Sequence, residues 1–183
     1  MKQHFELPNI TIEDLMLRRL VEKDAPDLFE CTSDPDVTRY VFWQTHHDMT
    51  QTKQFIRFLN SDEISSCAIF HSRDNKVIGT CFFHSFHPIH KKVEMAFNIS
   101  KKYWGRGYAT ISARALVQYV FQNWDINRIE GTCMLDNITS ARVLEKVGMQ
   151  FEGIMRKSHL RYDGFFDMKL YAVLRLHFGQ SSC

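Results

Sequence analysis

The chain has 183 residues, 44% of them hydrophobic and 24% charged, which suits one well-buried domain over residues 1–183 and excludes a disordered chain. A net charge of +2 argues against bulk nucleic-acid binding. No apolar run reaches the roughly 20 residues that a membrane helix needs, so no membrane association is expected.

In chain order, Leu15 to Leu20 reads as a first strand. Asp24-Ala25-Pro26 marks a helix start, with the aspartate as cap and the proline in the first turn. A short helix follows Asp34-Pro35, and a third runs from about Thr50 to Asn60 with Phe55, Ile56 and Leu59 on one side. Ser66 to His71 and Lys76 to Phe83 form a hairpin around Asp74-Asn75. Lys92 to Ser100 is the fourth predicted strand. The long helix after the following glycine turn carries Ala113, Leu116, Val117, Val120 and Phe121 as an i, i+3, i+4 stripe. Arg128 to Leu135 is a fifth strand, and Asn137 to Val147 is a helix closed by Gly148. Phe151 to Leu160 and Phe166 to Leu174 pair around Tyr162-Asp163-Gly164. The pattern predicts an α+β domain with a mixed central sheet.

Five cysteines (Cys31, Cys67, Cys81, Cys133 and Cys183) follow no spacing rule and form no C-x-x-C. With no signal sequence ahead of them, reduced thiols in a cytoplasmic protein are expected. The histidines, among them His46-His47, His84, His87 and His90, fall in loop-like contexts without ligand spacing, so no metal is expected.

Two segments carry chemistry. In the fourth predicted strand, Val93, Met95, Phe97 and Ile99 alternate with Glu94, Ala96, Asn98 and Ser100. Period two turns the first set to the core and the second to a small, polar face. Glu94 and Asn98 are then the floor of a cleft, or the wet side of an edge strand. The strand leads into Lys102-Tyr103-Trp104-Gly105-Arg106-Gly107-Tyr108-Ala109. Two glycines one residue apart let the backbone turn and present successive N–H groups. The helix that follows aims its unpaired amides at the same point, a combination suited to phosphate, with Lys101, Lys102 and Arg106 around it. No nucleotide-triphosphate loop is present, and Thr110 stands where a dinucleotide fingerprint needs its third glycine.

Lys102-x-x-Gly105-x-Gly107-Tyr108-Ala109 resembles the acyl-coenzyme A pyrophosphate loop of the GCN5-related N-acetyltransferases, with lysine where the family usually has glutamine or arginine. Val93 to Ile99 resembles that family's fourth strand. Asn137-x-x-Ser140-x-x-Val143-Leu144-Glu145-Lys146-Val147-Gly148-Met149 resembles a helix of its RimJ/RimL-type ribosomal-protein N-terminal acetyltransferases. Gly153, Arg156, Asp163-Gly164, Asp167 and Tyr171 fit the closing hairpin of that subgroup.

The resemblance implies a three-layer fold whose mostly antiparallel sheet splays between its fourth and fifth strands. Acetyl-coenzyme A is the implied cosubstrate, with no metal, and the protein is expected to be a monomer or homodimer. Pantetheine would bond to the backbone of Phe97, Asn98 and Ile99. The amides of Trp104, Gly105, Arg106, Gly107, Tyr108, Ala109 and Thr110, with Lys102 beside them, would hold the pyrophosphate. Asn137 would bond to the pantetheine arm; read without the family it is a helix cap, and the two roles are compatible.

The chemistry implied is attack of an amine on a thioester. An α-amine with a pKa near ~8, or a lysine near ~10.4, must first lose a proton. Glu94 is the candidate base, the alternative being a salt-bridged surface glutamate. An amide such as that of Ile99 is a candidate oxyanion donor. Many relatives place a tyrosine seven residues after the helix asparagine; Leu144 stands there and cannot donate a proton. Ser140 is the candidate acid or thiolate donor, or else an ordinary first-turn polar residue.

The expected acceptor is a protein N-terminal α-amine. The alternatives are a small amine (amino sugar, polyamine, antibiotic or amino acid) and a non-catalytic acyl-coenzyme A-binding module. Phe42-Trp43, His46-His47 and the Phe82-Phe83-His84-x-Phe86-His87 cluster are candidates to line the acceptor pocket, or to pack the core. The lack of a strong acidic cluster disfavours a polyamine.

Overall fold

The computed structural model describes residues 7–178. Among them lie β1 (Ile10–Ile12), β2 (Leu15–Arg18), α1 (Ala25–Thr32), α2 (Pro35–Thr38), α3 (Met49–Leu59), β3 (Ser65–His71), β4 (Lys76–His87), β5 (Lys92–Ile99), α4 (Tyr108–Asn123), β6 (Arg128–Met134), α5 (Ile138–Val147), β7 (Gln150–Arg161) and β8 (Gly164–Leu174). No helix among the described residues is long and apolar enough to cross a membrane.

Local chemistry explains most boundaries. The Asp48 carboxylate accepts the Gln51 N–H at 2.9 Å and starts α3, which buries Phe55, Ile56 and Leu59. Asn137 caps α5 in the same way, taking the Ser140 N–H at 3.0 Å. The expected cap at Asp24 is not made. Its carboxylate takes two bonds of 2.8 Å from Arg18 and one of 2.9 Å from the Val21 N–H, so it ties the end of β2 to the helix entry instead. Strand β1 was not expected, because three residues are too few to show an alternation. β4 runs to His87, past its expected end at Phe83, with Ser85 at φ +54 where its pairing with β5 shifts.

The eight strands form one sheet in the order β1-β2-β3-β4-β5-β6-β8-β7. All neighbours are antiparallel except β5 and β6. Helices α1 and α3 cover one face over Leu20, Leu28, Ile56, Leu59 and Phe82. On the other, α4 and α5 pack Leu116, Val117, Val120 and Leu144 against Leu17, Ile69, Met95 and Ile129.

Two features of β5 set up the site. Its parallel ladder with β6 runs from Lys92–Arg128 to Met95–Gly131 and stops, although β5 continues to Ile99 and β6 to Met134. On its other edge it stays paired with β4 as far as Ile99. Beyond the last rung, the Ser100 N–H donates to the Ile78 carbonyl at 2.7 Å. Antiparallel ladders alternate, so even-numbered β5 residues exchange bonds with β4, and Phe97 and Ile99 direct their peptide groups toward the gap beside β6.

That pairing needs Gly79. A Cβ there would sit 2.1 Å from the Asn98 carbonyl oxygen. Gly79→Ala is therefore expected to lose about 1–3 kcal/mol of stability in urea unfolding, the range for an overpacked interior. An unchanged midpoint would show that the two strands do not approach so closely.

Candidate active site

Where β5 and β6 part, a cavity of about 200 Å³ opens through the sheet. On the α1/α3 side its walls include His84, Glu94 and Thr132, with Phe42 and Trp43 from the segment between α2 and α3. On the α4/α5 side they include Phe97, Cys133, Asn137, Ser140 and Leu144, and the β7–β8 hairpin adds His159, Arg161 and Phe166. The Trp43 indole nitrogen is buried there without a hydrogen-bond partner.

Two carboxylates lie side by side in register, Glu94 on β5 and Glu130 on β6, and they are held differently. Burial works against the charge of Glu130, but Arg128 at 2.8 Å and Lys92 at 3.1 Å hold it below the usual carboxylate range. Glu94 instead accepts a hydrogen bond of 2.7 Å from the Thr132 hydroxyl. Its other neighbour in register is His84. Burial pushes that imidazole below its ordinary pKa, against the pull of the Glu94 charge. A half-buried carboxylate thus faces the cavity beside a histidine that favours its neutral form.

Asn98 departs from its expected place. Its side chain is 5% exposed, donates to the Thr80 hydroxyl at 2.6 Å and accepts from the Cys31 thiol at 3.3 Å. Helix α1 covers that part of the strand, so the polar side chain is satisfied inside the protein and is not a cleft floor. Its peptide groups, by the same alternation, serve β4. His46 also departs: it is buried with Nδ1 at 2.9 Å from the Thr52 hydroxyl, and neither it nor His47 lines the cavity. Of the aromatic cluster, Phe82 and His84 line the cavity, while Phe86 lies in an adjoining groove that shares Phe42, Phe82 and His84 with it.

The turn after β5 has the backbone that its glycines suggest. Gly105 and Gly107 adopt φ of +76° and +81°, and Gly107 is the left-handed residue from which α4 starts. The first helical N–H groups, those of Tyr108, Ala109 and Thr110, have no intrahelical acceptor. The Trp104 indole N–H reaches back to the Ile99 carbonyl at 2.7 Å, so one gap-facing acceptor is already taken. The cations are less free than expected. Lys101 pairs with Asp36 at 2.5 Å and Lys102 with Glu30 at 3.4 Å, while the Arg106 guanidinium lies 5.4 Å over the Tyr103 ring. Exposed pairs of this kind are weak and solvent-screened, so an anion at the turn can displace them.

Asn137 and Ser140 lie together in the first turn of α5, and Leu144 is buried one turn on. Thr132, His159 and Phe166 were not singled out from the sequence. Thr132 was within reach: a strand parallel to β5 with Glu130 opposite Glu94 puts position 132 on the same face. His159 and Phe166 arrive through the folding of the last hairpin, which leaves no local signal. The described cysteines are free and buried, and desolvation pushes the thiols of Cys31 and Cys67 up to about 12. Cys183 lies outside the described residues.

Residues 14–150 match the family model described as an acetyltransferase (GNAT) domain. The chain belongs to this family, and is an acetyl-coenzyme A-dependent N-acetyltransferase with the family's mixed sheet. It is 28% identical over 167 residues to an uncharacterized N-acetyltransferase, p20, of Bacillus licheniformis, covering 89% of this chain and 94% of that one. A GNAT-family acetyltransferase structure from Bacillus anthracis superposes with a TM-score of 0.83 at 29% identity, over 92% of this chain and 99% of the other. The structure of RimL, a ribosomal L7/L12 α-N-protein acetyltransferase, in complex with coenzyme A shares the fold at a TM-score of 0.81 and 21% identity, over 91% and 98%.

Two desolvated histidines give a pH dependence. Burial holds the pKa of His46 and His84 below the ordinary value near ~6.5 that they regain on unfolding. The unfolded chain therefore takes up protons first as the pH falls. Stability is full above about pH 6.5 and drains below it. The thermal midpoint should fall between roughly pH 7.5 and 5.5, and His46→Asn should flatten the slope; an unchanged slope would exclude His46 as a source.

Proposed function

We propose that the acetyl group passes through the opening between β5 and β6 to a primary amine, and that the favoured acceptor is a protein N-terminal α-amine. One observation carries this reading: the opening has Glu94 on one face of the sheet and Asn137 and Ser140 on the other. Two substrates can meet there from opposite sides.

Acetyl-coenzyme A, when bound, supplies the thioester carbonyl. The gap-facing peptide groups of Phe97 suit an extended, amide-bearing arm; Asn98 contributes no free group, and Ile99, its carbonyl held by Trp104, keeps only its N–H. The Gly105–Thr110 amides suit the diphosphate, with Lys102 and Arg106 released from their present partners toward it. Asn137 is committed to capping α5 through its oxygen, which leaves its amide nitrogen to donate.

The acceptor binds as an ammonium and must lose a proton. Glu94 takes it, directly or through water, with Thr132 fixing the carboxylate. The neutral amine then forms the C–N bond, the oxyanion is met by the Ile99 N–H, and the C–S bond breaks as the nitrogen gives up its second proton through water to the departing thiolate. Ser140 offers its hydroxyl to the departing thiolate. An α-amine suits a single base better than lysine does, because more of it is neutral near pH 7. A polyamine finds no second free carboxylate here, since Glu130 is already matched by Arg128 and Lys92. Similarity to RimL is in keeping with this acceptor.

Thiol release from acetyl-coenzyme A, measured against short peptides, amino sugars, polyamines and free amino acids, tests the reading. Peptides with free N-termini should turn over fastest; binding of coenzyme without turnover on any acceptor would favour a non-catalytic module. Glu94→Gln is expected to lower kcat/KM about 10²-fold or more below the acceptor pKa, with the loss closing at higher pH. Equal loss at every pH would remove Glu94 as base. Gly107→Glu puts a carboxylate and a strained backbone in the anion turn, and coenzyme affinity should fall about tenfold or more.

A further inference from the structure

The two tyrosines that flank the glycine turn, Tyr103 and Tyr108, both reach one buried histidine cluster. His71, the last residue of β3, is 4% exposed. Its Nε2 lies 3.0 Å from the Tyr108 hydroxyl and 3.2 Å from Asp14 Oδ2. Its Nδ1 lies 3.1 Å from Asp74 Oδ2 and 3.3 Å from the Asp74 N–H. The Tyr103 hydroxyl donates to the same Asp74 oxygen at 2.5 Å. Both tyrosine rings pack against the imidazole, with centroids 5.5 and 5.2 Å away.

Each ring nitrogen meets polar groups from separate segments: Asp14 and the Tyr108 hydroxyl at Nε2, the Asp74 carboxylate and N–H at Nδ1. The β1–β2 turn, the β3–β4 turn and the first residue of α4 therefore meet at one side chain. Tyr103 is held at the same point, and Arg106 rests on its ring.

We infer that His71 is a positioning residue for the coenzyme, fixing the start of α4 and the Tyr103–Arg106 pair so that the turn amides converge before the diphosphate arrives. The inference rests on the reading that this turn takes the diphosphate. A turn ordered in advance loses less freedom on binding, so its loosening weakens coenzyme affinity and leaves the acceptor side alone.

Coenzyme A titrated calorimetrically into the full chain tests this, alongside steady-state kinetics and unliganded thermal midpoints. For His71→Phe, the Kd for coenzyme A and the KM for acetyl-coenzyme A should rise about tenfold, with acceptor KM and saturating kcat within about twofold. His71→Gln, which still donates and accepts, should restore most of the affinity. Tyr103→Phe and Tyr108→Phe, which lose one hydroxyl each, should weaken binding about threefold, and they decide the matter if His71→Phe does not fold. A lowered midpoint with unchanged coenzyme affinity, a rise in acceptor KM of the same size, or no rescue by glutamine overturns the inference alone. A wild-type chain that binds no coenzyme A overturns the reading of the turn and this inference with it.

Discussion

Everything in this fold that bears on chemistry follows from hydrogen bonds that two neighbouring strands do not make. β5 and β6 pair for four residues and then part, although both continue as strands. A peptide group left without a partner away from water is costly, so the interior of a sheet closes up unless something holds it open. Here β5 is kept against β4 by a complete ladder with Gly79 at its tightest point, and β6 is kept against β8 from Arg128 to Met134. With each strand anchored on its outer edge, the inner edges remain open. The peptide groups of Phe97 and the N–H of Ile99 are then left without a strand partner on that edge, while the Ile99 carbonyl accepts from Trp104.

The same parting sorts the polar residues around it. Asn98, under α1, finds its partners inside the protein. Glu130 and Glu94 share one rung, next to the last before the strands separate, yet Glu130 is neutralised by Arg128 and Lys92. Glu94 keeps a neutral hydroxyl and a weakly basic imidazole for company. Three polar side chains within five residues of register therefore have three fates. Local packing decides them, and residue type does not.

Much of this was legible in the sequence where the signal was local. The glycine turn, the stripe of α4, the cap at Asn137 and the alternation of β5 each depend on residues within one turn or one strand of each other. Alternation puts Glu94 and Asn98 on one face, but it cannot say that α1 reaches Asn98 and stops short of Glu94. Asp24 looked like a cap because aspartate before Ala-Pro usually is one. Arg18 lies six residues earlier and offers a stronger charged partner. His46 and His84 look like loop residues in a sequence rich in histidine, yet one is buried against Thr52 and the other lies in β4. The His71 cluster joins positions 14, 71, 74, 103 and 108, which come together only when the sheet is assembled.

The opening through the sheet also bears on kinetics. On the proposed function the carrier and the amine approach from opposite sides, so neither has to leave before the other arrives, and no protein group has to hold the acetyl unit in between. The thiol in the wall is poorly suited to that task in any case: burial pushes Cys133 up to about 11, leaving little thiolate at neutral pH. The partition thus favours a ternary complex with direct transfer, whose double-reciprocal plots intersect, over a shuttle through an acylated side chain, whose plots run parallel.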